Sequence, residues 1–269
     1  MPAAPARDRD AELDDGRMPF LEHLAEFRNR LRNAALAFMV AAVGCWFIAE
    51  DIYDWLRAPL DSAWNHAGLG TEGAQMAYFS VTEPFWVYMS VALWAGIFVA
   101  SPLIFYQLWK FVAPGLYKTE RRVGIVFAVL SAAFFVSGAL FCHTLVLEPM
   151  FEYLLGLSSK HAQPALSMKE YLDLIRDMML AFGAVFEMPI LIYFLAKIGL
   201  VTHKSLWRFN RWFIVVAFVV GAVLTPSADV VSQTMMAVPM IVLYNLSILV
   251  AWMVVRNKQK QPGAVPLDD

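Results

Sequence analysis

Charge is scarce in this chain of 269 residues: 16% of them are Asp, Glu, Lys or Arg, against 59% apolar. That balance, with a positive mean hydropathy, excludes an ordinary soluble domain and predicts an integral membrane protein. The net charge of -2 carries no information about partners. Cysteine is equally sparse. Cys45 and Cys142 both lie in apolar runs, where a small buried hydrophobe is the expected role and no disulfide or metal site is indicated. No G-x-x-x-x-G-K, H-E-x-x-H or G-x-S-x-G occurs, and the five histidines lack ligand spacing, so neither enzyme chemistry nor a metal or other cofactor is expected. There is no internal repeat and no low-complexity segment. The first 17 residues mix Arg7, Arg9 and Arg17 with five acids and have no apolar core, so they predict a disordered arm and no cleavable signal peptide.

What the chain does have is long apolar runs. The reading is all-α: a polytopic protein with six transmembrane helices in a membrane domain at 18–255, and a tail at 256–269. A short amphipathic helix starts at Pro19, with Phe20, Leu24, Phe27 and Leu31 on one stripe, and is expected to lie along the membrane surface. Six spans follow, at about 34–49, 84–109, 123–147, 178–195, 212–224 and 235–255. The fifth is only about 20 Å of helix against a hydrocarbon core of roughly 30 Å, which predicts local thinning of the bilayer. Residues 50–83 read as a long aqueous segment in which Pro59 is a breaker. Lys and Arg number six before the first span, then one, four, three, four and none in successive loops, and three in the tail. Both termini are therefore expected on the cytoplasmic side. Basic loops beside spans are topology signals, and no nucleic-acid partner is implied.

Two groups of acids stand out. Glu187 sits inside the fourth span with no cation nearby and Pro189 just beyond it. It reads either as a neutral carboxylic acid hydrogen-bonded to a carbonyl loosened by Pro189, or as a polar landing site for a partner helix or bound water. Glu22 and Glu26 are four apart on one helical face and Glu120 stands among the cations of FYQLWKFVAPGLYKTERR, residues 105–122. A ligand with paired arginines would answer such carboxylates, since the guanidinium fork binds them bidentately. The plainer reading pairs Glu26 with Arg30 and gives Glu120 to the helix dipole.

Several stretches together resemble TatC, the multi-spanning receptor subunit of the twin-arginine protein translocase. WKFVAPGLYKTERR is similar to its first cytoplasmic loop, MPFLEHLAEFRNRL to its H-L-x-E-L-R-x-R-L signature, and RAPL to its periplasmic proline, here Pro59. TEPFWVY, FGAVFEMPI and LTPSADVVSQTMMAVPM resemble the start of span two, the intramembrane acid at Glu187 and the last periplasmic turn. The resemblance implies a bacterial inner-membrane receptor, both termini cytoplasmic, that binds twin-arginine signal peptides of folded cargo. Glu26 and Glu120 would do so, with Glu22, Arg28, Phe111 and Arg121 beside them. It also implies TatA and TatB as single-span partners, drive by the proton motive force, contact with lipid, and homo-oligomers within the receptor complex. Thr225 and Gln233 inherit a partner-helix contact, and Pro59 and Asp229 periplasmic roles. Asn245 departs from a frequent family Glu, and the turn at 225–229 is one residue longer than T-P-P-D. The alternative from another class is a small-solute secondary transporter, motivated by Pro-broken spans and a lone intramembrane acid.

Overall fold

The computed structural model describes residues 7–69, 73–112, 121–157, 165–225 and 229–259, with side chains described within 23–112, 124–225 and 229–256. Nine α-helices are found among them: α1 (Arg7–Trp46), α2 (Ala49–His66), α3 (Glu83–Val112), α4 (Arg121–Phe141), α5 (Leu147–Gly156), α6 (Met168–Phe186), α7 (Met188–Ile198), α8 (His203–Leu224) and α9 (Val230–Gln259). A π-helical turn, Cys142–Val146, joins α4 to α5 without a break, and Glu187 joins α6 to α7. Two short strands, β1 (Met76–Ala77) and β2 (Leu166–Ser167), pair in parallel and tie two loops together. Five helical stretches are long and apolar enough to cross a membrane; residues 23–46 of α1 taken together with α2, from which they are bent by 83°, make up to six if that pair counts as one span.

Neighbour packing runs α1, α3, α4, α6 with α7, α9, α8, so the spans form a wall in which the chain order is nearly kept. Small residues allow the close approaches. A Cβ on Gly96 of α3 would come within 2.8 Å of the Ala42 backbone of α1, and one on Gly138 of α4 within 2.6 Å of the Phe182 carbonyl of α6. Large apolar side chains such as Val99, Val126, Val215 and Val242 face outward, as lipid requires.

Four expectations are corrected. The helix expected from Pro19 is not a separate surface element: the backbone is helical from Arg7 and runs unbroken into the first span, reaching into the arm for which no order was expected. Residues 49–66, expected as part of an aqueous segment broken at Pro59, form a continuous helix, because Tyr53, Leu56, Leu60 and Ala63 make a helical stripe that is buried, chiefly against α5 and α3. Pro59 does not break this helix but lies buried within it. The third span does not stop at 147; the π turn carries it on through α5. Finally, α8 is 22 residues long, about 33 Å of helix, because Arg208 and Arg211 lie within it before the apolar run begins. The apolar run itself is still only residues 212–224, so the extra length is polar helix and the short apolar match that motivated the thinning argument is unchanged.

Pro59 stays in α2 because its deficits are answered from outside the helix. Proline has no N–H, so the carbonyl of Trp55, four residues back, loses its donor. His143 of the π turn supplies one: its Nε2 lies 3.1 Å from that carbonyl, and its ring stacks on Trp55 at 3.9 Å between centroids. Tyr171 of α6 donates to the next carbonyl, Leu56, at 2.9 Å. The loop beyond α2 is held by Arg57 and Asp61. Arg57 donates to the Ala74 carbonyl at 2.9 Å, while Asp61 accepts from Arg57 and from the Ala74 amide. Gly73, at φ +80°, presses so close to Asp61 that a Cβ would come within 2.8 Å of its Oδ1.

Candidate peptide-recognition surface and intramembrane polar site

Residues 23–30, in the middle of α1, meet the last turns of α3, which brings the acid-bearing signature at 18–31 to the edge of the basic stretch at 105–122. Glu26 accepts two bonds from Arg30, at 2.5 Å from Nη2 and 3.2 Å from Nε, and Arg30 Nη1 reaches Gln107 Oε1 of α3 at 3.5 Å. Glu26 thus has the Arg30 partner that helical spacing predicts, while its side chain remains about a third exposed, at 35%. Beside it, the ring of Phe111 stacks on His23 at 4.5 Å and meets Phe27 at 5.2 Å. Arg28 is exposed on the neighbouring face. Glu120 and the side chains of Glu22 and Arg121 lie outside the described residues; the backbone places Arg121 at the first residue of α4. His23 and Gln107 were not singled out by the sequence, and Phe27 was read only as part of an apolar stripe, although His23 and Phe27 stand within the signature.

Glu187 ends α6 and precedes the buried Pro189, so it occupies a non-helical joint inside a span. Its carboxyl group faces the Ser131 hydroxyl and the Phe135 backbone of α4, and Oε1 is buried without a hydrogen-bond partner. Ser131 is fully buried and accepts a bond from Trp109 Nε1 of α3 at 2.9 Å. The groups that answer Glu187 are therefore on α4, not at the carbonyl near Pro189 that the first of the two sequence readings invoked. A hydroxyl that accepts from indole still has a proton to donate, so Trp109, Ser131 and Glu187 form a polar path across three helices. Nothing in the local sequence of Glu187 signals Ser131 or Trp109.

The remaining candidates fall near the α8–α9 turn. Thr225 is buried and donates to the Gly221 carbonyl at 2.8 Å. Gln233 is half-buried, its backbone carbonyl 3.1 Å from where a Cβ on Gly221 would stand. Asp229 precedes α9 and accepts from the Ser232 amide at 2.8 Å, an N-cap that satisfies a donor the helix leaves free. Asn245 receives a 3.2 Å bond from Asn210 and donates to Ile241, an amide bridge between α8 and α9 where a carboxylate would have to be neutral to do the same.

Comparison with known proteins agrees with this geometry. Residues 22–239 match the family described as Sec-independent protein translocase protein (TatC). The protein of that name from Koribacter versatilis is 40% identical over 251 residues, covering 92% of this chain and 90% of the relative. That from Aquifex aeolicus is 36% identical over 245 residues, covering 90% and 98%. Among solved structures, a crystal structure of the twin-arginine translocase receptor TatC superposes with a TM-score of 0.76 at 36% identity, covering 87% of this chain and all of that one. A multi-pass α-helical chain with this match over most of its length is a protein translocase component, a transport protein and not an enzyme, and it belongs to the TatC family.

Proposed function

We propose that this protein is the receptor of a twin-arginine translocase: it binds twin-arginine signal peptides of folded proteins at its cytoplasmic face. There it organises TatA and TatB for export driven by the proton motive force, in the bacterial inner membrane and as part of a homo-oligomeric receptor complex. The observation that carries this reading is the placement of Glu26. Its carboxylate stands part-exposed beside the aromatic group of His23, Phe27 and Phe111, at the edge of the basic stretch that bears Glu120. In the free protein Arg30 holds Glu26, so a peptide guanidinium replaces or joins an arginine already there. Glu120 supplies the second carboxylate. Glu22, Arg28, Phe111 and Arg121 complete the surface, and Thr225 and Gln233 lie where a partner helix docks along α8 and α9. No feature of these likenesses favours the solute-transporter alternative.

Glu26→Gln and Glu120→Gln should each weaken signal-peptide binding to the purified protein by about 1–3 kcal/mol, as a charge-assisted bond becomes a neutral one. Replacing the peptide's arginine pair by lysines should cost the wild type more than it costs either variant, because lysine cannot reproduce the fork. Equal lysine penalties in all three proteins would mean that these acids do not read the arginines.

The orientation rests on the cation counts, in which the third loop, with three cations, runs against the alternation. One of those, Arg176, is neutralised locally by Asp173 at 2.5 Å and Asp177 at 2.7 Å and lies over the Trp94 ring. A single cysteine at the exposed Gln75 should react with an impermeant thiol reagent in intact cells, and one at Lys204 should not. Ala63, in the middle of the segment that the sequence marks as aqueous, is buried and unsuitable for this purpose. Labelling at position 204 from outside would reject the six-span arrangement.

A further inference from the structure

On the face bearing α2, α5 and the β1–β2 pair, three side chains converge that no part of the proposed function uses. His66 ends α2, and Glu148 and Glu152 stand one helical turn apart on α5. His66 Nδ1 contacts Glu152 Oε1 directly and lies 3.8 Å from Glu148 Oε1. One ligand atom from each residue falls within 4.8 Å of the others. Among the described residues the two glutamates have no Lys or Arg partner, so like charges at helical spacing are answered by an imidazole alone.

We infer that His66, Glu148 and Glu152 form a surface site for a divalent cation of the zinc type that fastens α2 to α5. The donor set decides the class. Imidazole nitrogen favours zinc, copper and nickel over magnesium and calcium, and two carboxylates balance the charge of a divalent ion. Three protein ligands leave a fourth tetrahedral position for water, and the exposure of His66, 64%, gives an ion a path in. Donor atoms about 2.0–2.2 Å from a common zinc ion stand roughly 3.2–3.6 Å apart. The His66–Glu148 distance is near that, and the Glu152 contact has to open to reach it. Both glutamates sit partly exposed on a helix face, where their side chains turn freely enough to do so. The sequence gives no hint of this, because His66 is far from the glutamates along the chain and only the packing of α2 on α5 brings them together.

The test is a calorimetric titration of zinc chloride into the chelator-treated full-length protein in detergent, purified without a polyhistidine tag. One saturable site is expected in the wild type. His66→Ala and Glu152→Gln should each weaken it by at least about tenfold, the loss that removal of even an outer-shell partner produces. Glu50→Gln, on the exposed face of the same helix α2, should leave it unchanged. Excess zinc should also raise the thermal midpoint of the wild type and not that of His66→Ala. A wild type with no saturable site, or a His66→Ala protein that binds zinc as the wild type does, overturns the inference and leaves a plain histidine–carboxylate pair. Signal-peptide binding should be indifferent to His66→Ala, so this outcome and that of the recognition experiment are read separately.

Discussion

Glu187→Gln should keep most transport activity, Glu187→Asp less, and Glu187→Ala least, with signal-peptide binding retained in all three. The argument rests on hydrogen bonding. A carboxylate surrounded by Phe186, Met188 and Pro189, with no described cation beside it, is too costly to hold as a bare charge in hydrocarbon, and its value lies in the polar contacts it makes. Glutamine offers the same reach and a carbonyl oxygen to accept from Ser131 in place of the carboxyl oxygen. Aspartate is one methylene shorter and falls away from α4. Alanine removes the polar group and leaves the Ser131 hydroxyl facing an apolar void. Because Ser131 also accepts from Trp109, Ser131→Ala should orphan the indole N–H and take one of the two groups that answer the carboxyl group. It should therefore impair transport about as much as Glu187→Ala, although it removes no titratable group. A transport assay on the purified series reconstituted with its partners decides the matter. If Gln is as inactive as Ala while peptide binding survives, proton exchange at Glu187 is the better account.

The span positions were legible because the physics that sets them is local: a run of apolar residues of sufficient length has one stable place in a bilayer. The same holds for the joint at Glu187 and Pro189, where a missing N–H is written in the sequence. Legibility failed where two local signals conflicted. Residues 49–66 carry a proline and four acids, which outweighed the stripe of Tyr53, Leu56, Leu60 and Ala63, although that stripe has helical spacing and decides the structure. It also failed where the partner is distant. Ser131 for Glu187, His143 for Trp55 and Glu152 for His66 each belong to another helix, and one-dimensional spacing says nothing of them. At the proposed recognition surface the sequence predicted both the acid and its competitor: Arg30 does hold Glu26, Phe111 stands beside them as the resemblance implied, and the structure adds Gln107 of α3 and the ring of His23.

His143→Phe should destabilise the protein by about 1–3 kcal/mol, and that cost should shrink in a Pro59→Ala background. Phenylalanine keeps an aromatic ring to stack on Trp55 but cannot donate, so the Trp55 carbonyl, part-buried against the π turn, loses its partner. Alanine at position 59 regains the backbone N–H that Pro59 lacks, and α2 can then bond that carbonyl itself, as any unbroken helix does. In the wild type the two features are complementary: proline removes a donor at position 59, and the π turn, whose Leu147 amide reaches back to the Cys142 carbonyl, swings His143 out to supply one. This explains why a proline is tolerated in the middle of a buried helix face and why a histidine is buried at position 143. Thermal unfolding of wild type, both single variants and the double variant in detergent gives the coupling directly. A coupling of about 1 kcal/mol or more is expected between residues in contact through one carbonyl. If His143→Phe costs the same whether residue 59 is proline or alanine, the carbonyl is not what the histidine serves, and its burial has to be explained by the stacking on Trp55 alone.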